Sequence, residues 1–167
     1  MHYESVTTII RNLNEAAVRY LVVGGLAVVA HGYVRFTADI DLLIGLDPMN
    51  VTNAINVLKA MGYTPRAPVA IEEFANPTQR TNWRCEKLMT VFSLFSAAHP
   101  GTEIDIFIED PLGIDQAITN AMNVEIAKGV AAPVCSLSDL LKLKSIAGRP
   151  QDLLDIQKLK ALHRVAQ

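Results

Sequence analysis

Cysteine is scarce in this chain of 167 residues: Cys85 and Cys135 stand far apart and belong to no CxxC pattern. That argues against a thiolate metal knuckle or a disulfide framework and leaves two reduced, buried thiols as the expectation. Histidine is sparse too. His2, His31, His99 and His163 show no metal-ligand spacing, which disfavours a hydrolytic phosphodiesterase built on a histidine-rich metal motif. An excess of charge of either sign is missing too: the formal net charge is −2 and 19% of residues are charged. No global electrostatic footprint for nucleic acid results, so only a local basic patch could serve one. With 50% of residues apolar, extensive disorder is not expected. The longest apolar run, Tyr20 to Ala30, is too short to span a bilayer and is broken by Gly24-Gly25. The first residues lack a basic stretch followed by an apolar one, so neither a signal peptide nor a membrane partner is expected, and a cytoplasmic location is. This length fits one domain, 1–167, with a sheet-containing core over 1–135 and helices packed on it over 136–167.

The acidic residues that are present stand in a telling place. Ala38-Asp39-Ile40-Asp41-Leu42-Leu43-Ile44 reads as a strand whose alternation puts Asp39, Asp41 and Leu43 on one face and Ile40, Leu42 and Ile44 on the other. Two carboxylates about 4 Å apart repel by roughly 4 kcal/mol at an effective dielectric near 20. A cation between them converts that repulsion into coordination, and hard oxygen ligands suit Mg²⁺. A polar strand edge would also carry such a pair. Thr102-Glu103-Ile104-Asp105-Ile106-Phe107-Ile108 repeats the presentation, with Asp105 opposite Ile104, Ile106 and Ile108. If the two strands are neighbours, Asp39, Asp41 and Asp105 can converge on two divalent ions, the arrangement for in-line phosphoryl or nucleotidyl transfer.

Apolar spacing predicts a helix over about Ser5–Val18, a strand over Tyr20–Val23, and a short helix from Leu26 to His31 after the Gly24-Gly25 break. His31 is expected to pack rather than act as a base. Asp47-Pro48 opens a helix ending near Gly62. Residues 64–84, with three prolines and no clean periodicity, read as a long irregular segment holding at most one short strand or turn, in which acceptor choice resides; Trp83 and Arg84 could stack on a nucleobase or acceptor, with simple packing the safer reading. Strands follow at Lys87–Phe95 and Glu103–Ile108, a helix at Asp115–Met122, and edge strands within Val124–Val134. Ser136 caps a helix to Ala147, and Pro150 starts a last one carrying Leu153, Ile156, Leu159 and Leu162. The fold class is therefore α/β (α+β): a mixed sheet flanked by helices, with a helical C-terminal end.

The strand–Gly24-Gly25–helix turn lets backbone approach a ligand and offers free N–H groups to phosphate. A tight turn alone needs the same glycines, and GGLAVVAHG lacks the lysine of a P-loop. In combination, VVGGLAVVAHGYVRFTADIDLLI resembles the signature of the nucleotidyltransferase superfamily related to DNA polymerase β, in which a glycine pair precedes an acidic pair on a strand. Thirteen residues, Leu26 to Ala38, lie between the two here, at the upper end of that spacing. The Arg35-x-Thr37-x-Asp39-x-Asp41 form and the ending SLSDLLKLKSIAGRPQDLLDI are similar to the branch holding AbiEii-type and MenT-type toxins and minimal bacterial nucleotidyltransferases. The resemblance spans Leu21 to Leu159, loosely in the middle third.

That resemblance implies a nucleotidyltransferase fold, two Mg²⁺ ions on Asp39, Asp41 and Asp105, and an NTP substrate cradled by Gly24 and Gly25. Asp105 would help deprotonate the attacking hydroxyl, and Lys144, rather than Lys142, would neutralise phosphate charge. Arg35 and Thr37 could reach phosphate, although a solvated loop arginine fits Arg35 equally. Asp152 and Asp155 match the family pattern but read as structural, in a first helical turn and linked to Arg149 or Lys144. The expected partners are an NTP, an acceptor that is tRNA, protein or a small molecule, and, if the chain is a toxin, a cognate antitoxin. A non-catalytic nucleotide-binding or interaction protein is the reading from another class.

Overall fold

Val6, Ile9, Ile10 and Leu13 recur on one side of the first helix, α1 (Tyr3–Glu15), and all are buried. The helix stops short of Val18 because Ala17 adopts a left-handed conformation, φ 51°. The computed structural model describes residues 2–165 of the chain, with side chains as far as residue 163. Strands β1 (Tyr20–Val22), β2 (Asp39–Ile44), β3 (Thr64–Pro65), β4 (Val91–Phe95), β5 (Glu103–Phe107), β6 (Met122–Ala127) and β7 (Val130–Val134) form one mixed sheet. Their order is β3-β4-β5-β2-β1-β7-β6. At its centre β2 runs antiparallel to β1 and parallel to β5. The mixed α/β architecture expected from the sequence is the one that folds. No helix among the described residues is long and apolar enough to cross a membrane.

Helix α2 (Gly24–Ala30) begins on the two glycines rather than after them, with Val23 as its extended N-cap. In α3 (Pro48–Ala60), Asp47 accepts the Asn50 N–H at 3.0 Å and Pro48 occupies the first turn, as the Asp-Pro pair predicts. The expectation for residues 64–84 holds for a short strand and a turn and fails for a helix. They hold β3, a 3₁₀ turn (Ile71–Ala75) and most of α4 (Pro77–Lys87), so the following strand begins at Val91 rather than Lys87. Asn76 caps α4 by accepting from the Thr78 N–H at 2.9 Å. The helix escaped its apolar pattern because only Arg80 and Trp83 are buried on it. Trp83 packs as expected, its ring stacked on Phe92 with centroids 5.1 Å apart. Cys135 is buried but Cys85 is exposed on α4, which corrects the expectation of two buried thiols.

α5 (Ile114–Thr119) precedes the β6–β7 hairpin, and α6 (Leu137–Ala147) and α7 (Pro150–Val165) close the described chain. Ser136 caps α6 and Gly148 ends it, as read from the sequence. The inner face of α7 is unusual. Leu153 and Leu162 are exposed, and the residues turned inward are Asp152, Asp155 and Leu159. Charge, not only apolar surface, seats this helix.

Candidate active site

Parallel pairing of β2 and β5 sets Asp39 opposite Glu103 and Asp41 opposite Asp105. Between these rungs Ile40, Leu42, Ile104 and Ile106 enter the core with no exposed surface, so the register cannot slip without burying carboxylates. One face of the sheet thereby carries four acidic side chains, all half-buried. Sequence alternation placed three of them there; Glu103, two residues before Asp105, belongs to the same face. Arg66 answers Glu103, its Nε 2.7 Å from Oε2, and holds that carboxyl below its ordinary range. Leu43, expected on the acidic face, is buried.

Asp41 is the most constrained of the set. Its Oδ2 accepts the Gly25 N–H at 3.2 Å. Burial pushes its carboxyl up to about 6, and the nearby Asp105 and Asp39 charges push the same way against the Gly25 N–H and Lys144. Asp39 is also raised, by burial first and then by Asp105 and Glu103. Among the described residues no three His, Cys, Asp or Glu side chains already gather round one point. The strands align the backbone positions of Asp39, Asp41 and Asp105, and Asp41 accepts an N–H from the glycine turn. Hard oxygen donors carrying more negative charge than their neighbours neutralise fit a divalent cation.

The glycine pair is shaped around this face. Gly24 has φ +60°, and a Cβ built on it would fall inside the Asp41 carboxylate. A Cβ on Gly25 would overlap the Thr37 hydroxyl and approach Arg35 Nη2 at 3.3 Å. Gly24, Gly25, Arg35, Thr37 and Asp41 are therefore neighbours. Gly24→Ala is expected to displace Asp41 and strain the turn, costing about 1–3 kcal/mol. Urea denaturation checks that cost, and unchanged stability would show that the turn relaxes freely.

Lys144 lies at the junction of α6 and α7, with only 4% of its surface exposed. Its Nζ sits 2.9 Å from Asp152 Oδ1 and 2.7 Å from Asp155 Oδ2. Arg149 Nε donates to Asp152 at 2.7 Å, and Arg35 Nη2 reaches Asp155 at 3.1 Å. Arg35 is thus an ion-paired side chain, not a solvated one. Asp152 and Asp155 take the linking role read for them, and the partner of Asp155 on the acidic-strand side, Arg35, was not foreseen. Lys142 is exposed and donates only to the Pro111 carbonyl at 3.2 Å.

A cleft of about 440 Å³ opens beside the acidic face. Asp41 and Asp105 line it together with residues of β4, β5 and the end of α6, and Arg84, Glu109 and Arg149 add further charge. Of residues 64–84, held from the sequence to govern the acceptor, Arg84 alone lines it among the described residues. The cleft was invisible in the sequence because it is assembled from separate segments with no shared motif.

No protein-family model matches the chain, and no curated protein matches it. Solved structures do. The antibiotic-resistance factor ANT(2'')-Ia, an aminoglycoside nucleotidyltransferase whose solution structure shows substrate-regulated conformation dynamics, superposes with a TM-score of 0.54 at 14% identity. The match covers 98% of this chain and 91% of that one. At that identity the likeness speaks to the fold, and this chain has a nucleotidyltransferase-like fold.

Proposed function

We propose that this chain is a Mg²⁺-dependent nucleotidyltransferase that moves NMP from an NTP to an acceptor hydroxyl and releases pyrophosphate. The observation that carries the proposal is the Asp41–Asp105 rung lying against the Gly24–Gly25 turn, with Asp41 on the Gly25 N–H. Asp39, Asp41 and Asp105 would hold Mg²⁺, two ions in the full site, which when bound would stabilise phosphate charge and make the hydroxyl more acidic. Gly24 and Gly25 bring backbone N–H groups to the triphosphate, and Arg35 and Thr37 stand beside them. Asp105 takes the hydroxyl proton as the acceptor oxygen bonds to the α-phosphorus. The bond from that phosphorus to the pyrophosphate oxygen breaks, and pyrophosphate leaves with the electron pair. Lys144 supplies long-range positive charge to Asp41 while fixing α7 and, through Asp155, Arg35. The whole of 1–167 acts as one catalytic unit in this account.

The test is labelling with α-³²P NTPs against tRNA, protein and small-alcohol acceptors, comparing the natural protein with Asp105→Ala. Label should pass to one acceptor in the natural protein alone; equal labelling by both proteins would refute the mechanism. The finer reading places the chain in the toxin-like branch, on the Arg149-Pro150-x-Asp152-x-x-Asp155 ending. Growth arrest on expression, relieved by an adjacent gene product acting as antitoxin, would support that branch.

A further inference from the structure

The phosphate cradle and the cleft lie on opposite flanks of Asp41. Gly24 and Gly25 stand at the start of α2, on the β1 side of β2, and the cleft lies over β5 and β4 on the other side. In-line displacement at phosphorus places the entering oxygen opposite the leaving group. With pyrophosphate leaving on the glycine side, the hydroxyl enters from the cleft. Resting on the nucleotidyl-transfer reading, we propose that this cleft receives the acceptor as a ring-sized, largely apolar hydroxyl compound carrying one anionic group, which faces Arg149.

The lining selects that chemistry. Met89, Val91, Phe107, Leu143 and Ile146 provide an apolar wall, and a volume of about 440 Å³ suits a small molecule or one terminal residue of a polymer. Arg84 and Glu109 neutralise one another, Nε to Oε2 at 2.6 Å. The buried network behind the cleft sets Lys144, Arg35 and Arg149 against only Asp152 and Asp155. With the Asp41 and Asp105 carboxylates, which otherwise act on Arg149, taken up by Mg²⁺, that leaves one surplus positive charge, and Arg149, its side chain 75% exposed, is where the surplus meets solvent. A polycationic acceptor finds no unpaired carboxylate in the cleft apart from Asp41 and Asp105, which are engaged in catalysis.

Calorimetry with 4-hydroxyphenylacetate and tyramine, which share a ring and hydroxyl but carry opposite charges, tests the assignment. Both titrations are made with Mg²⁺ and a non-hydrolysable ATP analogue already bound. The acid should bind at least tenfold more tightly than the amine. Ile146→Glu should weaken the acid at least tenfold and leave affinity for the ATP analogue within threefold; Ile146 is 66% exposed, so the variant should fold. A single-stranded RNA 12-mer with a free 3′ hydroxyl distinguishes the two sources of this chemistry. Displacement of the acid by RNA assigns the cleft to a polymer terminus, and simultaneous binding assigns it to a free small molecule. Tyramine binding as tightly as the acid, no saturable binding of acid or RNA, or an unchanged Ile146→Glu affinity would each overturn the acceptor assignment. Failure of the natural protein to bind the ATP analogue would instead overturn the nucleotidyl-transfer reading beneath it.

Discussion

Replacing Asp41 by asparagine is expected to abolish nucleotidyl transfer, by a factor on the order of a thousand or more, while making the metal-free protein more stable at pH 7. Both effects come from one cause. Burial and the neighbouring carboxylates raise the Asp41 carboxyl from 3.8 to about 6, so ionising it costs more in the folded chain than in the unfolded one. Between those values the folded state binds more protons, and stability falls as pH rises through the window. Above about pH 6 the full penalty is present, with a ceiling of about 3 kcal/mol and an expected size of about 1–2 kcal/mol after solvent screening. Asparagine keeps an oxygen for the Gly25 N–H and removes the charge. Urea denaturation in EDTA should therefore show the variant ahead at pH 7 and level with the natural protein near pH 3.5. Added Mg²⁺ should raise the melting temperature of the natural protein alone. Activity should decline as pH falls below about 6, where a proton competes with the cation for Asp41. A variant less stable than the natural protein at pH 7 would contradict this electrostatic account.

Lys144→Met is expected to cost about 3–5 kcal/mol, among the largest effects available from one side chain in this fold. The substitution leaves Asp152 and Asp155, 2% and 0% exposed, with one cation fewer between α6 and α7. Arg149 can still serve Asp152, and Arg35 can still serve Asp155, so some compensation remains. Adding Asp155→Asn should recover part of the loss, because the uncompensated charge goes with it. Lys142→Met, on an exposed residue whose one hydrogen bond is to a carbonyl, should stay within about 0.5 kcal/mol. Chemical denaturation of the four proteins, natural and variant, decides the matter. Equal, small losses at both lysines would show that the buried network does not hold the two helices together.

The acidic strands were legible because their signal is local: alternation alone puts Asp39 and Asp41, or Glu103 and Asp105, opposite their apolar neighbours. Their adjacency was not local information. It rests on β5 pairing parallel to β2 across the 58 residues between Ile44 and Glu103, which only the packed sheet decides. Caps were readable for the same local reason, at Asp47-Pro48 and at Ser136. Asn76-Pro77 is an equally good cap, yet α4 stayed hidden behind a polar sequence whose single large buried apolar side chain is Trp83. The inner face of α7 misled because Leu153 and Leu162 point outward, while Asp152 and Asp155 are drawn in by Lys144. Buried charge has no hydrophobic signature, and its partner sits on another helix. The cleft has none either, being made where β4, β5 and α6 meet.

The most direct measurement is diffraction from crystals holding Mn²⁺ and a non-hydrolysable ATP analogue, with anomalous scattering locating the metal. The account predicts metal in contact with both the Asp41 and Asp105 carboxylates, Asp41 swung off the Gly25 N–H, and triphosphate oxygens taking that N–H instead. Metal and nucleotide bound away from Asp41, or Asp41 still on Gly25 beside a bound nucleotide, would contradict it.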